Sequence, residues 1–185
     1  MKADTGILTA LLGVALLAAC TRESLQSTYD KQATYIDNFI TSTLQSDTNA
    51  TLTRNGGACR INLHDTLDAG RDSLRPGGKA ALYYGCFLLT GATVSTSNLV
   101  ATNLRELADA AKWELSDTTI YKLDTIVLDK SLVPGLMDGL AGVQPLDEGY
   151  ILFTGQHGFG NVQRGTIPAR SALAYYFWIE NISNE

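Results

Sequence analysis

Short apolar segments separated by glycine-rich turns fill the chain after residue 58, and they limit the folds that it can form. The segments are rich in β-branched and aromatic residues or alternate apolar with polar residues, as strands with one buried face do. Because strands this short are not stable alone, they must pair in a sheet. The predicted strands are Cys59–Leu63, Ala80–Leu89, Ile120–Leu128, Tyr150–Phe153 and Ala172–Ile179.

Two segments between these strands have helical features instead. Asn103 can cap a helix that runs to Leu115, with Glu106 at its third position and one apolar face. A shorter helical turn follows Leu132 and ends near Gly142. The sequence therefore predicts an α+β domain in which antiparallel strands wrap around one short helix. In the last strand, alternation places Leu173, Tyr175, Phe177 and Ile179 in the core and Tyr176 and Trp178 on the other face.

The first twenty residues have the layout of a secretory signal. Lys2 precedes an apolar run over 7–17 that is too short to span a bilayer comfortably, and small residues follow it. Residues 17–20, Leu-Ala-Ala-Cys, resemble the lipobox of bacterial lipoproteins, in which the signal is removed and the cysteine is acylated. The resemblance implies lipidation at Cys20 and a lipid-anchored protein of the bacterial cell envelope, on the periplasmic side or the cell surface. The alternative is an ordinary signal peptide with an incidental cysteine.

An amphipathic helix is predicted from Thr21 to about Gln45, with polar residues at 46–49 after it. Its apolar stripe must be buried either on the chain's own domain or against a second copy. The stripe is not a sustained heptad, which favours the first arrangement and leaves the oligomeric state open. We therefore divide the chain into a lipoprotein signal peptide over 1–19, a tether and amphipathic helix over 20–57, and a domain over 58–185.

Composition and motif spacing argue against several classes of protein. A net charge of −5 and a pI near 5.0, with no basic run, argue against nucleic-acid binding. His64 and His157 are the only histidines and lack a metal-binding spacing, so we expect ordinary loop residues and no metal. Gly155, Gly158 and Gly160 match neither a dinucleotide fingerprint nor a P-loop, and no other cofactor is expected.

Several motifs follow one another in a fixed order along the domain. A turn, PGG at 76–78, precedes LYYG at 82–85; later come LVPGLMDGL at 132–140, YILF at 150–153, GFG at 158–160 and GTIP at 165–168. Their order and spacing resemble the FKBP-type peptidyl-prolyl cis-trans isomerases over roughly residues 59–183. The resemblance implies a five- or six-stranded antiparallel sheet half-wrapped around a helix over 134–140, with the substrate pocket between them.

The resemblance also implies which side chains form that pocket. By matching position, the catalytic residues are Tyr83, Val133, Leu136, Phe159, Ile167 and Tyr175, and Val100, Ala101 and Leu132 contact substrate. Such a site needs no nucleophile, because the twisted prolyl amide has less charge separation than the planar one and a dry apolar cavity favours it. In the family, the backbone N–H at the Val133 position and a tyrosine hydroxyl at the Phe159 position bind substrate carbonyls.

Some pocket positions depart from the family pattern. Leu136 stands for a tryptophan, Val100-Ala101 for a Phe-Asp pair, Phe159 for a tyrosine, and Asp124 lies near another usual aromatic. Smaller walls give a wider pocket with less aromatic surface against the proline ring. We expect a weak isomerase or folding helper for Xaa-Pro bonds of envelope or secreted proteins, with proline-containing polypeptides as partners. The alternative is a non-catalytic peptide- or protein-binding lipoprotein on the same scaffold.

The chain has three cysteines, and acylation of Cys20 would leave Cys59 and Cys86 in the domain. Both lie on predicted strands. A disulfide between them requires Cα atoms within about 7 Å. Two buried free thiols are the favoured alternative.

Overall fold

The structure is a computed structural model that describes residues 5–63, 71–114 and 118–184. Its first helix, α1, runs without interruption from Thr5 to Ser46. The helix predicted to end at Gln45 is therefore its C-terminal part, and it begins earlier than predicted because the apolar run is helical too. The residues up to Lys31 and the residues from Gln32 onward form two separate compact units. Among the described residues, no helix is both long enough and apolar enough to cross a membrane.

Within the second unit, the described residues form one antiparallel sheet of seven strands. The strands are β1 (Thr51–Asn55), β2 (Ala58–Asn62), β3 (Lys79–Leu88), β4 (Leu99–Thr102), β5 (Asp124–Val127), β6 (Glu148–Phe153) and β7 (Leu173–Ser183). Their order is β1-β2-β6-β7-β3-β4, and β5 pairs with β3. Two short helices, α2 (Arg105–Ala110) and α3 (Pro134–Leu140), complete the fold. The α+β class is confirmed, and the strand count exceeds the five or six expected.

The additional strands, β1 and β4, lie at the two ends of the sheet path. β1 joins β2 through a tight turn at Gly56, whose φ is +51°. This hairpin spans the boundary expected at 57/58, and its residues 54–57, Arg-Asn-Gly-Gly, are the end of β1 and the turn. β4 has only four residues, which is too short for a clear alternation.

The sheet packs a different cluster on each face. On the side that we call the α3 face, α3 covers a core that includes Leu82, Leu173, Tyr175, Phe177 and Ile179. On the opposite side, the α1 face, the residues Ile36, Phe39 and Ile40 of α1 pack on Cys59, Ile61 and Leu152. The predicted alternation of the last strand is confirmed, since Tyr176 belongs to the α1 face.

The helix predicted over 103–115 is shorter than expected, and Asn103 does not cap it. α2 begins after Leu104 and is followed by Lys112, whose φ of +57° ends the helical conformation. The Asn103 side chain instead accepts from the Tyr84 N–H and donates to the carbonyls of Leu82 and Lys122. Asn103 reaches these backbone groups because it follows the end of β4 and lies close to the residues before β5. No local sequence pattern predicts this arrangement.

β5 covers only part of the predicted strand over 120–128. Only residues 124–127 pair with β3, over Lys79–Leu82. Ile120 and Leu123 are therefore exposed, by 52% and 41%. Their apolar character suggested a strand, but β3 pairs with β4 instead from Gly85 onward.

Cys59 and Cys86 are buried free thiols. Cys86 belongs to the core of the α3 face and Cys59 to that of the α1 face. The sheet itself separates them, so the possible disulfide is not formed and the favoured alternative is confirmed.

Candidate functional site

The entrance to α3 holds the backbone in the geometry on which the candidate site depends. Val133 is extended, with φ −63° and ψ 146°, as a residue before proline must be. Pro134 opens the helix at a position where its missing N–H costs nothing. The Gly135 N–H then donates to the His157 carbonyl at 2.7 Å, which ties α3 to the loop after β6.

Two glycines let α3 lie directly on the sheet. A Cβ on Gly135 would lie 2.3 Å from the Phe153 ring, and one on Gly139 would lie 2.2 Å from Ile151. Residues four apart share one side of a helix, so this side faces β6. Neighbouring residues of α3, including Leu136 and Met137, then lie at the margin of the core, where they are only half-buried.

Arg60 holds the other end of α3 in place, a role that the sequence pattern does not show. It is buried on β2, and its Nη1 donates to the carbonyls of Gly139 and Ala141 at 2.9 and 2.8 Å. Burial lowers the pKa of Arg60, and the charge of the buried Asp147 opposes that shift. Cys59, Ile61 and Leu63 alternate with Arg60 and Asn62, so the pattern predicts an exposed charge at position 60, whereas every residue of β2 is buried.

Most of the residues assigned by resemblance come together beside α3. Leu132, Val133, Leu136, Phe159, Ile167, Val100 and Ala101 are partly buried and pack against the α3-face core. Tyr175 belongs to that core and is 8% exposed. These residues belong to α3 and the segment before it, the loop over 154–168, β4 and β7, and we call this largely apolar cluster the prolyl pocket after the resemblance.

Tyr83 does not join this group. It pairs across the strands with Trp178 and therefore lies on the α1 face. Tyr84 is the β3 residue of the α3 face, and its ring stacks on Tyr175 with centroids 5.2 Å apart and planes at 11°. Counting back from Gly85 selected the wrong one of two adjacent tyrosines; the alternation of Ala80, Leu82 and Cys86 would have selected Tyr84.

The two stacked tyrosines stay neutral well above ordinary pH. Burial is the main cause that raises the pKa of both hydroxyls, and the nearby Asp124 carboxylate raises it further. Asp124 is exposed at the start of β5, opposite Leu82. The tyrosine side of the pocket therefore offers neutral hydroxyls rather than a charge.

The backbone N–H of Val133 is a polar group that the geometry leaves available at the start of α3. Among the described residues it has no acceptor, whereas the Val133 carbonyl accepts from both Leu136 and Met137. Phe159 supplies a ring and no hydroxyl. Position 133 therefore offers a backbone donor, and the side chain at position 159 offers none.

A cavity of about 470 Å³ lies beside the prolyl pocket and is lined by Tyr84 and Ala101. Its other walls include Trp113 and Ile120, from the segment between β4 and β5, and Asp124. Tyr84 and Trp113 are therefore its aromatic walls, next to the small Ala101 and the exposed Asp124.

The described residues contain no group of histidine, cysteine and acidic side chains that could hold a metal ion. His157 lies over the β1–β2 turn, where a Cβ on Gly57 would collide with its ring. His64 lies outside the described residues, and so does the side chain of Cys20.

Comparison with known proteins supports the fold. No family model and no curated protein sequence matches the chain. Among solved structures, it is similar to a peptidyl-prolyl cis-trans isomerase from Pseudomonas syringae pv. tomato, with a TM-score of 0.55, 10% identity, and coverage of 86% of this chain and 96% of that one. It is also similar to FkpA from Escherichia coli, with a TM-score of 0.53, 11% identity, and coverage of 98% and 74%.

A third similar structure contains the three FKBP domains of wheat FKBP73, with a TM-score of 0.55 and 11% identity. That match covers 72% of this chain, which spans about half of the wheat structure, 51%. The fold is therefore FKBP-like, with an added N-terminal helix and a short helical insertion at α2.

Proposed function

We propose that the chain is a weak peptidyl-prolyl cis-trans isomerase or folding helper that acts on Xaa-Pro bonds of envelope or secreted polypeptides. The observation that carries this proposal is the prolyl pocket itself. Leu136, Phe159 and Ile167 pack against the core that contains Tyr175, and Tyr175 stacks on Tyr84. The N–H of Val133, before α3, has no acceptor among the described residues. The similar solved structures, two of them described as isomerases or FKBP domains, support the same reaction.

The chemistry follows from the physical nature of the prolyl bond. Rotation faces a barrier of about 18–20 kcal/mol, because resonance keeps the amide planar. The twisted amide is less polar, so the apolar walls favour it over the planar ground state. The Val133 N–H binds a carbonyl of the flanking peptide and fixes one end while the prolyl end rotates. No proton is transferred, and no cofactor is needed.

The pocket also explains why we expect slow turnover. Leu136 and Val100 present less surface to a proline ring than aromatic residues would, and burial stabilises by about 25 cal/mol per Å². Phe159 forms no hydrogen bond to the substrate, which costs about 0.5–1.5 kcal/mol. Both differences raise the free energy of the bound transition state above its value in a pocket that has the complete family pattern.

The proposal is tested by NMR exchange spectroscopy of an Xaa-Pro peptide, which measures the rate of cis–trans interconversion in the presence of the full chain. We expect slow but measurable acceleration, increased about 2- to 12-fold by Phe159→Tyr if one hydrogen bond is restored. Tyr84→Leu should lower the rate, and Tyr83→Leu, on the opposite face, should not. If the exchange rate at micromolar protein equals the uncatalysed rate, the proposed isomerase activity is refuted.

The alternative is a binding protein that holds proline-containing segments without turning them over. The wide cavity beside Tyr84 and Ala101 favours it, since a loose pocket binds a peptide without twisting it. The same NMR samples separate the two functions. Shift changes at Val133 and Ile167 without faster exchange would identify a binding protein.

We further propose that the chain is a lipoprotein anchored through Cys20 in the bacterial cell envelope. The support is the Leu-Ala-Ala-Cys sequence at 17–20 after an apolar run. Mass spectrometry of the chain expressed in a bacterium should show cleavage before Cys20 and an acylated cysteine. Cys20→Ala should abolish both, and an unmodified Cys20 in the membrane fraction would contradict the anchor.

A further inference from the structure

A second concave surface lies on the α1 face of the sheet, away from the prolyl pocket. We call it the aromatic groove. It encloses about 330 Å³, and its apolar lining consists of Phe87, Leu104, Leu107, Tyr150, Tyr176 and Trp178. α2 and the residue before it supply one part of the lining, and strands β3, β6 and β7 supply the rest. The close approach of α2 depends on Gly85, since a Cβ there would lie 2.6 Å from Leu107.

Packing holds the aromatic rings in place while part of their surface stays open to solvent. Tyr150 and Tyr176 are cross-strand partners with centroids 5.5 Å apart and planes at 59°. Phe39 fixes Tyr150 from α1 by an edge contact at 5.1 Å. Trp178 is two residues beyond Tyr176 on the same side of β7 and is 41% exposed. Ring faces carry partial negative charge and attract cations.

Carboxylates flank these rings on both sides. Glu148 is the cross-strand partner of Trp178, and its Oε1 accepts from the Tyr176 hydroxyl at 2.7 Å. Glu106 lines the α2 wall, and no described residue forms an ion pair with it. The neighbouring Arg105 points along α2 to Asp109, 3.6 Å away. The groove therefore combines apolar walls, open rings and negative charge in a chain with a net charge of −5.

We propose that the aromatic groove binds the side chain of a lysine or arginine in an extended polypeptide. The aliphatic stem lies against Leu104, Leu107 and Phe87. The cationic end lies between the rings of Tyr176 and Trp178 and the carboxylates of Glu106 and Glu148. A neutral side chain uses the same walls but gains nothing from the rings and carboxylates. This site is independent of the prolyl pocket and does not rest on isomerase activity.

The fluorescence of Trp178 reports occupancy of the groove directly. The chain has two tryptophans, so Trp113→Phe in the full chain makes Trp178 the only one. The probes are two capped tripeptides, acetyl-Gly-Lys-Gly-amide and the same peptide with norleucine, which has the stem without the charge. We expect the lysine peptide to change the emission and to bind about tenfold more tightly than the norleucine peptide. Added salt should weaken the binding of the lysine peptide and leave that of the norleucine peptide unchanged.

Matched variants identify the groups responsible. Glu106→Gln and Glu148→Gln should each lower the affinity for the lysine peptide about two- to fivefold and leave the affinity for the norleucine peptide unchanged. Asp129→Asn removes the same charge on an exposed loop away from the groove and should change neither. Far-ultraviolet circular dichroism of each variant verifies that it is folded.

Three outcomes would overturn the proposal. Equal affinities for the two peptides would show a plain apolar groove. No change of Trp178 emission up to the solubility limit of the lysine peptide would show no site. Concentration-dependent quenching without peptide, with a dimer in sedimentation that Trp178→Ser abolishes, would show that a second copy of the chain occupies the groove.

Discussion

The two faces of the sheet use similar tyrosine pairs in different ways. On the α3 face, Tyr84 and Tyr175 stack nearly parallel, at 11°, beneath a helix. On the α1 face, Tyr150 and Tyr176 meet at 59° beside an open groove. Both pairs have raised pKa values because of burial, but only the second includes a hydroxyl bonded to a carboxylate. The same residue type therefore lies in different surroundings on the two faces, under α3 on one and beside the groove at α2 on the other.

The two helices beside these tyrosine pairs, α3 and α2, differ in the contacts that hold them on the sheet. α3 is held by two close glycine contacts and by Arg60, whose guanidinium binds carbonyls at its C-terminal end. α2, which forms a wall of the groove, has six residues and no side-chain cap. The α3 face should therefore be the more sensitive to substitutions beneath its helix, and the α1 face the more tolerant.

The largest effect should come from Arg60→Met. It removes both hydrogen bonds to the end of α3 and leaves buried carbonyls without a donor, which costs about 3 kcal/mol. Urea unfolding monitored by circular dichroism measures the loss. Arg60→Lys should lose less, because an ammonium can still reach one carbonyl. If Arg60→Met is as stable as the natural chain, α3 does not depend on this contact.

A smaller loss is expected where α3 touches the sheet. Gly139→Ala places a methyl group against Ile151 and should destabilise by about 2 kcal/mol through overpacking. Gly91→Ala is the matched control, because a Cβ there meets nothing within 4 Å. Its free energy of unfolding should stay within about 0.5 kcal/mol of the natural value. A loss in Gly139→Ala no larger than that in Gly91→Ala would show that the close contact with Ile151 does not limit the packing of α3.

The sequence predicted local features better than contacts between distant segments. The alternation of β7 and the proline and glycine at the start of α3 are local patterns, and the structure confirms both. Asn103 has the composition of a helix cap, yet its partners are on β3 and at residue 122. Arg60 looks misplaced on a buried strand until the end of α3 reaches it. Such roles depend on long-range packing, which no short pattern contains.

The choice between Tyr83 and Tyr84 shows the same limit within the site. A motif fixes the order of residues along the chain but not which of two neighbours faces the helix, and a one-residue shift reverses the face. The aromatic groove was not predicted at all, because its walls come from α2, β6 and β7, which are far apart in sequence.

On the α1 face, removal of one hydroxyl should have a modest effect. Tyr176→Phe loses the hydrogen bond to Glu148, which costs about 0.5–1.5 kcal/mol, and keeps the ring in the groove. Thermal unfolding measures the change. The variant should keep the prolyl exchange rate of the natural chain, because its side chain is on the other side of the sheet. A change in that rate would mean that the two faces are coupled.

The final prediction compares the reactivity of the two buried thiols, which is measured on the folded chain. Burial raises the pKa of Cys86 from 9.0 to about 12. Burial also raises that of Cys59, but Arg54 opposes this shift with an Nη1 atom 3.0 Å from the sulfur. A raised folded-state pKa stabilises the fold fully below pH 9 and loses that effect as the pH rises towards 12, so at pH 8 neither thiol weakens the fold.

At pH 8, in a Cys20→Ser background, an aromatic disulfide reagent should therefore label Cys59 faster than Cys86, because the thiolate is the reactive form. Arg54→Gln should slow the labelling of Cys59 and leave that of Cys86 unchanged. Mass spectrometry of the labelled peptides distinguishes the two sites. Faster labelling of Cys86 would show that the α3 face opens more readily than the α1 face, which is the reverse of what the anchoring of α3 by Arg60 and its glycines implies.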